Sequence, residues 1–139
     1  METLFGTDGI RGRAYDEPLD ENTVRRLGVA LAKDIALQFP QPRILLAGDT
    51  RASTTDLARW LASSFQATGG TVRWAGVLPT PAVSHFLRKD ECAAGVVISA
   101  SHNPAEDNGI KILGPEGEKL ADEIERHIES QIAEVSPRA

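Results

Sequence analysis

Apolar positions along this chain fall into short runs and helical stripes that alternate. From about Asp20 to Phe39, Val24, Leu27, Leu31 and Ile35 recur at helical spacing, with Asp20 placed to cap the helix. FPQP then stops it, because a residue preceding proline avoids helical backbone. RILLA (43–47) has strand length. Leu57, Leu61 and Phe65 mark a second helix over roughly Ser53 to Thr68, ended by Gly69-Gly70. TVRWAGVL (71–78) reads as a strand, and Thr80-Pro81 as the cap and first residue of a short helix to about Lys89. CAAGVVI (92–98) is continuously apolar, the pattern of a strand covered on both faces. GIKIL (109–113) is a further strand. LADEIERHIESQIAEV is amphipathic, with Ile124, Ile128 and Ile132 as its apolar stripe. Near the start, TLF (3–5) is a strand candidate, and GTDGIRGRAYDEP is loop by its glycines and proline.

Strands alternating with helices predict an α/β fold with a largely parallel sheet and helices on both faces. Such sheets bind ligands beyond the carboxyl ends of their strands. Two loops leave strands at that edge: GDTR after RILLA, and SASHNP after GVVI.

Composition narrows the classes. With 139 residues the chain has the size of one domain, and 41% hydrophobic and 25% charged residues are ordinary for a globular protein. A net charge of −5 argues against general nucleic-acid binding, which needs a basic face. No run reaches the ~18 apolar residues of a membrane helix, and METLFGTDGIRG carries charges where a secretion signal needs an apolar stretch. The one cysteine, Cys92, cannot form an internal disulfide, so a cytoplasmic setting is expected and Cys92 is read as packing.

The chemistry concentrates in SASHNPAEDNGIK (99–111). Ser101 is a candidate nucleophile beside His102; the bland alternative is an Asn-Pro turn with two solvated side chains. A serine hydrolase fits poorly, since G-x-S-x-G and an identifiable acidic third member are absent. A serine that carries a phosphoryl group fits better. Phosphoserine brings about −1.5 to −2 charges, which Lys111, His102 and a divalent metal could meet. GTDGIRG matches neither nucleotide-binding glycine pattern. GIRG has the bare G-x-x-G of a KH loop, against which the acidic net charge weighs. The segment reads either as a loop whose backbone approaches an anion, with Arg11 forking onto phosphate oxygens, or as a glycine turn with an exposed Arg. Arg51 has the same two readings, and Asp49 either orients it or caps the next helix. His85, His127, Trp60 and Trp74 are read as structural, solvated or interface residues.

FGTDGIRG (5–12) together with ISASHNPAEDNGIKIL (98–113) resembles the α-D-phosphohexomutase family (the phosphoglucomutase/phosphomannomutase superfamily), and among its branches most the bacterial phosphoglucosamine mutases. The resemblance spans essentially residues 1–139 and implies the first of four domains, a three-layer α/β/α sandwich with a mixed, largely parallel sheet, the other three being absent. It implies that Ser101 is phosphorylated and exchanges its phosphoryl group with a phosphorylated hexose or hexosamine through a bisphosphorylated intermediate. For this branch the pair is glucosamine 6-phosphate and glucosamine 1-phosphate. It implies that His102 and Lys111 lie close to the reacting group, that Arg11 supports the site, and that Ser101 ligates Mg2+ through its phosphate. Asn103 and Arg51 join Arg11 and Lys111 as phosphate-contacting candidates, with Asn103-Pro104 fixing the turn. Glu106 and Asp107 are expected at the solvent side.

The family's acidic, DGDGD-like metal loop has no counterpart here: Asp8, Asp49 and Asp107 are scattered. The chain alone is therefore expected not to catalyse turnover. Two classes remain open at this point: the serine domain of a phosphosugar mutase (glucosamine, glucose or mannose), or a stand-alone module binding a phosphorylated ligand or a protein. Partner surfaces expected for such a domain include the downstream domains, and their exposure favours self-association.

Overall fold

The computed structural model describes residues 4–6, 9–100 and 103–134. Nine elements follow in order: β1 (Ile10–Arg13), α1 (Glu21–Ala36), β2 (Arg43–Gly48), α2 (Thr54–Ala67), β3 (Thr71–Val77), α3 (Thr80–Asp90), β4 (Ala94–Ile98), β5 (Asp107–Leu113) and α4 (Asp122–Glu134). The strands form one sheet of order β1-β5-β4-β2-β3. β2 pairs in parallel with both β3 and β4, while β5 runs antiparallel to β4 and to β1. The sheet is thus mixed, with only β5 reversed.

Side-chain alternation divides the core in two. Ile44, Leu46, Val96, Ile98, Ile110 and Ile112 face the layer of α1, α2 and α4. Leu45, Ala47, Val97 and Leu113 face Val83 and Leu87 of α3. The three expected layers are present, with three helices on one side and one on the other. Asp20 caps α1 by accepting from the Thr23 amide at 3.1 Å. α1 and α2 approach closely at Gly28, where an added Cβ would overlap the Ser64 hydroxyl and lie 2.7 Å from the Leu61 carbonyl oxygen. Among the described residues no helix is long and apolar enough to cross a membrane.

Three expectations need correction. The first strand is not TLF: Leu4 and Phe5 lie outside any strand, and β1 falls inside the segment read as loop, because Ile10–Arg13 pairs with Asp107–Ile110. α3 begins at Thr80 with Pro79, not Thr80, as its cap. The buried face of α4 is turned by one residue from the isoleucine stripe. Ile124 is 38% exposed, whereas Glu125 and Glu129 are buried beside Ile128 and Ile132.

Candidate functional site

β2 and β4 are parallel neighbours with Gly48 beside Ile98, so the loops that leave them emerge side by side. The Asp49 amide donates to the Ile98 carbonyl at 3.1 Å. Asp49 is the hub of the junction between these two loops. Its carboxylate accepts from the Thr54 hydroxyl at 2.8 Å and from the Arg51 amide at 3.1 Å, and it takes Arg51 Nε at 3.0 Å. Burial alone would raise its pKa, but hydrogen bonds from Thr54, the Arg51 amide, Ser99 and the Arg51 side chain outweigh that and hold it below 3.8.

Arg51 spans the two loops. Its side chain is 11% exposed. Nη1 donates to the carbonyls of Pro104 and Asp107, at 2.5 and 3.1 Å, and Nη2 to that of Asn103 at 2.9 Å. A planar guanidinium suits this task, since its donors diverge in a fixed fork. The sequence offers Arg51 as a phosphate contact; here Nε, Nη1 and Nη2 all serve protein acceptors that hold the loop after β4. Asn103 contributes its backbone: its carbonyl accepts from Arg51 and its amide closes onto the Ala100 carbonyl at 3.1 Å. Ser101 and His102, bracketed by that bond, lie outside the described residues.

The far arm of the loop is fastened by a second group. Asn108 is fully buried; its amide donates to Ser53 Oγ at 2.8 Å and Thr54 Oγ1 at 3.1 Å, and its Oδ1 accepts from the Gly109 amide at 2.8 Å. The Ala14 amide donates to the Glu106 carbonyl at 2.9 Å, tying the end of β1 to the same loop. Glu106 and Asp107 thus act through their carbonyls. Sequence reasoning left Thr54, Ser99 and Asn108 without a part; a polar Asn at the head of an apolar strand was the one available signal.

Arg11 sits opposite Gly109 in the β1–β5 ladder. Gly109 and Lys111 share a sheet face, the one that carries Val97 and Leu113, so the two cations emerge from the same face about 7 Å apart along the strand direction. A Cβ on Gly109 would lie 3.1 Å from Arg11 Cγ and 2.8 Å from the Ser99 carbonyl, so the bare glycine lets the arginine stem lie against the sheet. Gly9, at φ 92°, packs equally close: an added Cβ would strike the Ile110 carbonyl and reach Lys111 Cα at 3.0 Å. Arg11 is exposed and Lys111 half-buried. Among the described residues neither has an ion-pair partner. Two such cations beside a braced loop are the donors that binding an anion would require.

Comparison with known proteins agrees in sequence and in fold. Residues 2–139 match the family model for phosphoglucomutase/phosphomannomutase, alpha/beta/alpha domain I. Phosphoglucosamine mutase of Solibacter usitatus is 51% identical over 129 residues, 93% of this chain and 29% of that protein. Phosphoglucosamine mutase of Thermus thermophilus is 47% identical over 137 residues, 99% of this chain and 31% of that one. The chain therefore spans about three tenths of the length of these relatives. A crystal structure of a Thermus thermophilus protein assigned as a phosphomannomutase superposes with a TM-score of 0.84 at 30% identity, covering 95% of this chain and 30% of that one.

Proposed function

This chain belongs to the phosphoglucomutase/phosphomannomutase family, and from that membership we propose that it is the serine-bearing domain of a phosphosugar mutase interconverting glucosamine 6-phosphate and glucosamine 1-phosphate. The observation that carries this reading is the pair of cations, Arg11 and Lys111, on one sheet face next to the loop of residues 99–106 and without ion-pair partners among the described residues. Phosphoryl transfer asks a protein mainly for positioning and for charge at the transferring oxygens. The relatives at 47–51% identity are both phosphoglucosamine mutases, which supports the amino sugar.

In the proposed cycle the free hydroxyl oxygen of the sugar monophosphate attacks the phosphorus of phosphorylated Ser101. A P–O bond to the sugar forms as the P–Oγ bond breaks. The hydroxyl proton passes to a base, and Ser101 Oγ leaves and is protonated. His102 is the residue of suitable chemistry for this proton. Arg11 and Lys111 meet the charge on the equatorial oxygens. The bisphosphorylated sugar then returns its other phosphoryl group to Oγ by the same displacement reversed, which restores phosphoserine. Asp49, Arg51 and Asn103 keep the loop in register.

Magnesium is the cofactor the family resemblance implies. The described residues do not fit it by themselves: no three metal-ligating side chains cluster among them, and the Asp49 carboxylate is taken by Arg51, Thr54 and Ser99. Acidic ligands for it would come from residues other than these, and the metal, held there, would supply charge at the phosphoryl oxygens. Self-association belongs to the same reading, since Trp74 and Val77 stand exposed on the edge strand β3.

The test is a chimera in which this chain replaces the matching segment of the Thermus thermophilus relative. Turnover of glucosamine 6-phosphate is expected from the chimera, and none from its Ser101→Ala form or from this chain alone with Mg2+ and a bisphosphate activator. Equal turnover by the Ser101→Ala chimera would overturn the assignment.

A further inference from the structure

Two glutamates are buried on the core side of α4, where an amphipathic stripe calls for apolar residues: Glu125 at 4% and Glu129 at 5% exposure. A buried carboxylate is costly unless it is hydrogen-bonded and paired. Glu129 is both. Its Oε1 accepts the Phe5 amide at 3.0 Å and pairs with Arg126 Nη1 at 3.2 Å. Arg126 Nη2 in turn points to the Phe5 carbonyl at 3.4 Å and to Glu125 at 3.6 Å, and Glu125 takes Lys119 Nζ at 3.2 Å. Helix α4 thus engages both backbone polar groups of residue 5, while the Phe5 ring is buried in the core.

The chain beyond Phe5 makes this grip consequential. Gly6 and Gly9 exchange backbone hydrogen bonds, at 2.8 and 3.3 Å, so Gly9 is tied to the residue that follows Phe5. Gly9 itself packs on the backbone of Ile110 and Lys111, and two residues later comes Arg11. Among the described residues between Phe5 and Ile10, none pairs with a strand of the sheet.

We infer that Glu129 and Arg126 are positioning residues for the anion site: by clamping Phe5 they fix Gly6 and, through its two hydrogen bonds to Gly9, the packing of Gly9 against Lys111 two residues before Arg11. The inference deepens the proposed function and rests on its reading of Arg11 and Lys111 as phosphate contacts. Neither clamp residue need touch the ligand.

The experiment uses this chain, 15N-labelled, with inorganic phosphate as probe. Two quantities are read for wild type, Glu129→Ala, Glu129→Gln, Arg126→Ala and Arg11→Ala: the exchange rate of the Phe5 amide, and phosphate affinity from shifts of the Arg11 Nε–H and Gly12 signals (Gly12 alone in Arg11→Ala). Glu129→Ala is expected to speed Phe5 exchange by roughly ten- to a hundredfold, the loss of one charge-assisted hydrogen bond, and to weaken phosphate severalfold. Arg126→Ala should do the same to a smaller degree. Glu129→Gln, which keeps an oxygen for the amide, should fall between Ala and wild type in both. Faster exchange with unchanged phosphate affinity would overturn the inference, as would unchanged exchange. If Glu129→Ala does not fold, the half-exposed Arg126 decides the matter by the same two readings. Arg11→Ala separates the levels: unchanged affinity there overturns the phosphate site itself, and with it the clamp's purpose, whereas a loss there without a loss in the clamp variants overturns the clamp alone.

Discussion

Arg51 pairs with Asp49 across 3.0 Å and from that anchor reaches three carbonyls of the neighbouring loop, those of Asn103, Pro104 and Asp107. Two residues of one loop thereby determine the shape of another loop about fifty positions downstream. Residues 103–107, which lead into β5, are held from the side by this guanidinium.

Replacing Arg51 by Ala should lower stability by about 2–4 kcal/mol, since it removes several hydrogen bonds and leaves Asp49 without its cation. Arg51→Lys should recover only a minor part, because an ammonium cannot fork to carbonyls on diverging bonds. Urea unfolding of the three proteins measures this; an unchanged midpoint for Arg51→Ala would show that the guanidinium is no strut.

The pH dependence follows from Asp49. Its folded pKa is depressed, so the stability it contributes is complete above its unfolded pKa near 3.8 and is lost as pH falls through the lower folded value. Between neutral pH and about pH 5 this group should add no slope. Below that, wild type should lose stability more steeply than Asp49→Asn. Acid titrations of the unfolding free energy that run parallel for the two proteins would contradict this.

Gly28 tests helix packing against helix propensity. Alanine is the better helix former by about 1 kcal/mol. Its methyl would nevertheless collide with Ser64 and the Leu61 carbonyl of α2. Gly28→Ala is expected to destabilise by about 1–3 kcal/mol, and Gly28→Ala with Ser64→Gly to regain part of that loss. Thermal unfolding that shows Gly28→Ala more stable than wild type would mean the helices can simply part.

Cys92 should be a poor nucleophile. Burial pushes its thiol up, with Asp90 adding to the rise and Arg43 and Arg73 opposing it, so little thiolate forms near neutrality. Alkylation by iodoacetamide is expected to be at least about tenfold slower in the native chain than in urea. Equal rates would place the thiol within reach of solvent.

Much of this architecture was readable from residue order. Asp20 and Gly69-Gly70 bounded α1 and α2, because caps and glycines act locally. The placing of GDTR and SASHNP at one edge followed from strand direction alone. What stayed hidden was non-local. Ile10–Arg13 looks like loop, with a glycine between two arginines, and becomes a strand only because β5 offers it a partner. Glu125 and Glu129 look like solvent-facing acids, and Ile124 like core, until Lys119, Arg126 and the Phe5 amide supply reasons to turn the helix. Arg51 carries no mark in the sequence to distinguish a ligand-binding guanidinium from one spent on carbonyls.

The strand order has a bearing on how such a domain comes into being during synthesis. The ribosome delivers β1 before the other four strands, yet its neighbour among the described residues, β5, is the last of the five to be made, with Ile10 waiting for Ile110. At roughly 5–20 residues per second the nascent chain passes several seconds with this segment unzipped, while β2, β3 and β4 already have one another. Closing so long a loop is entropically slow. Arg11 and Lys111 meet only at that closure, so the two cations come together after the parallel strands have found one another.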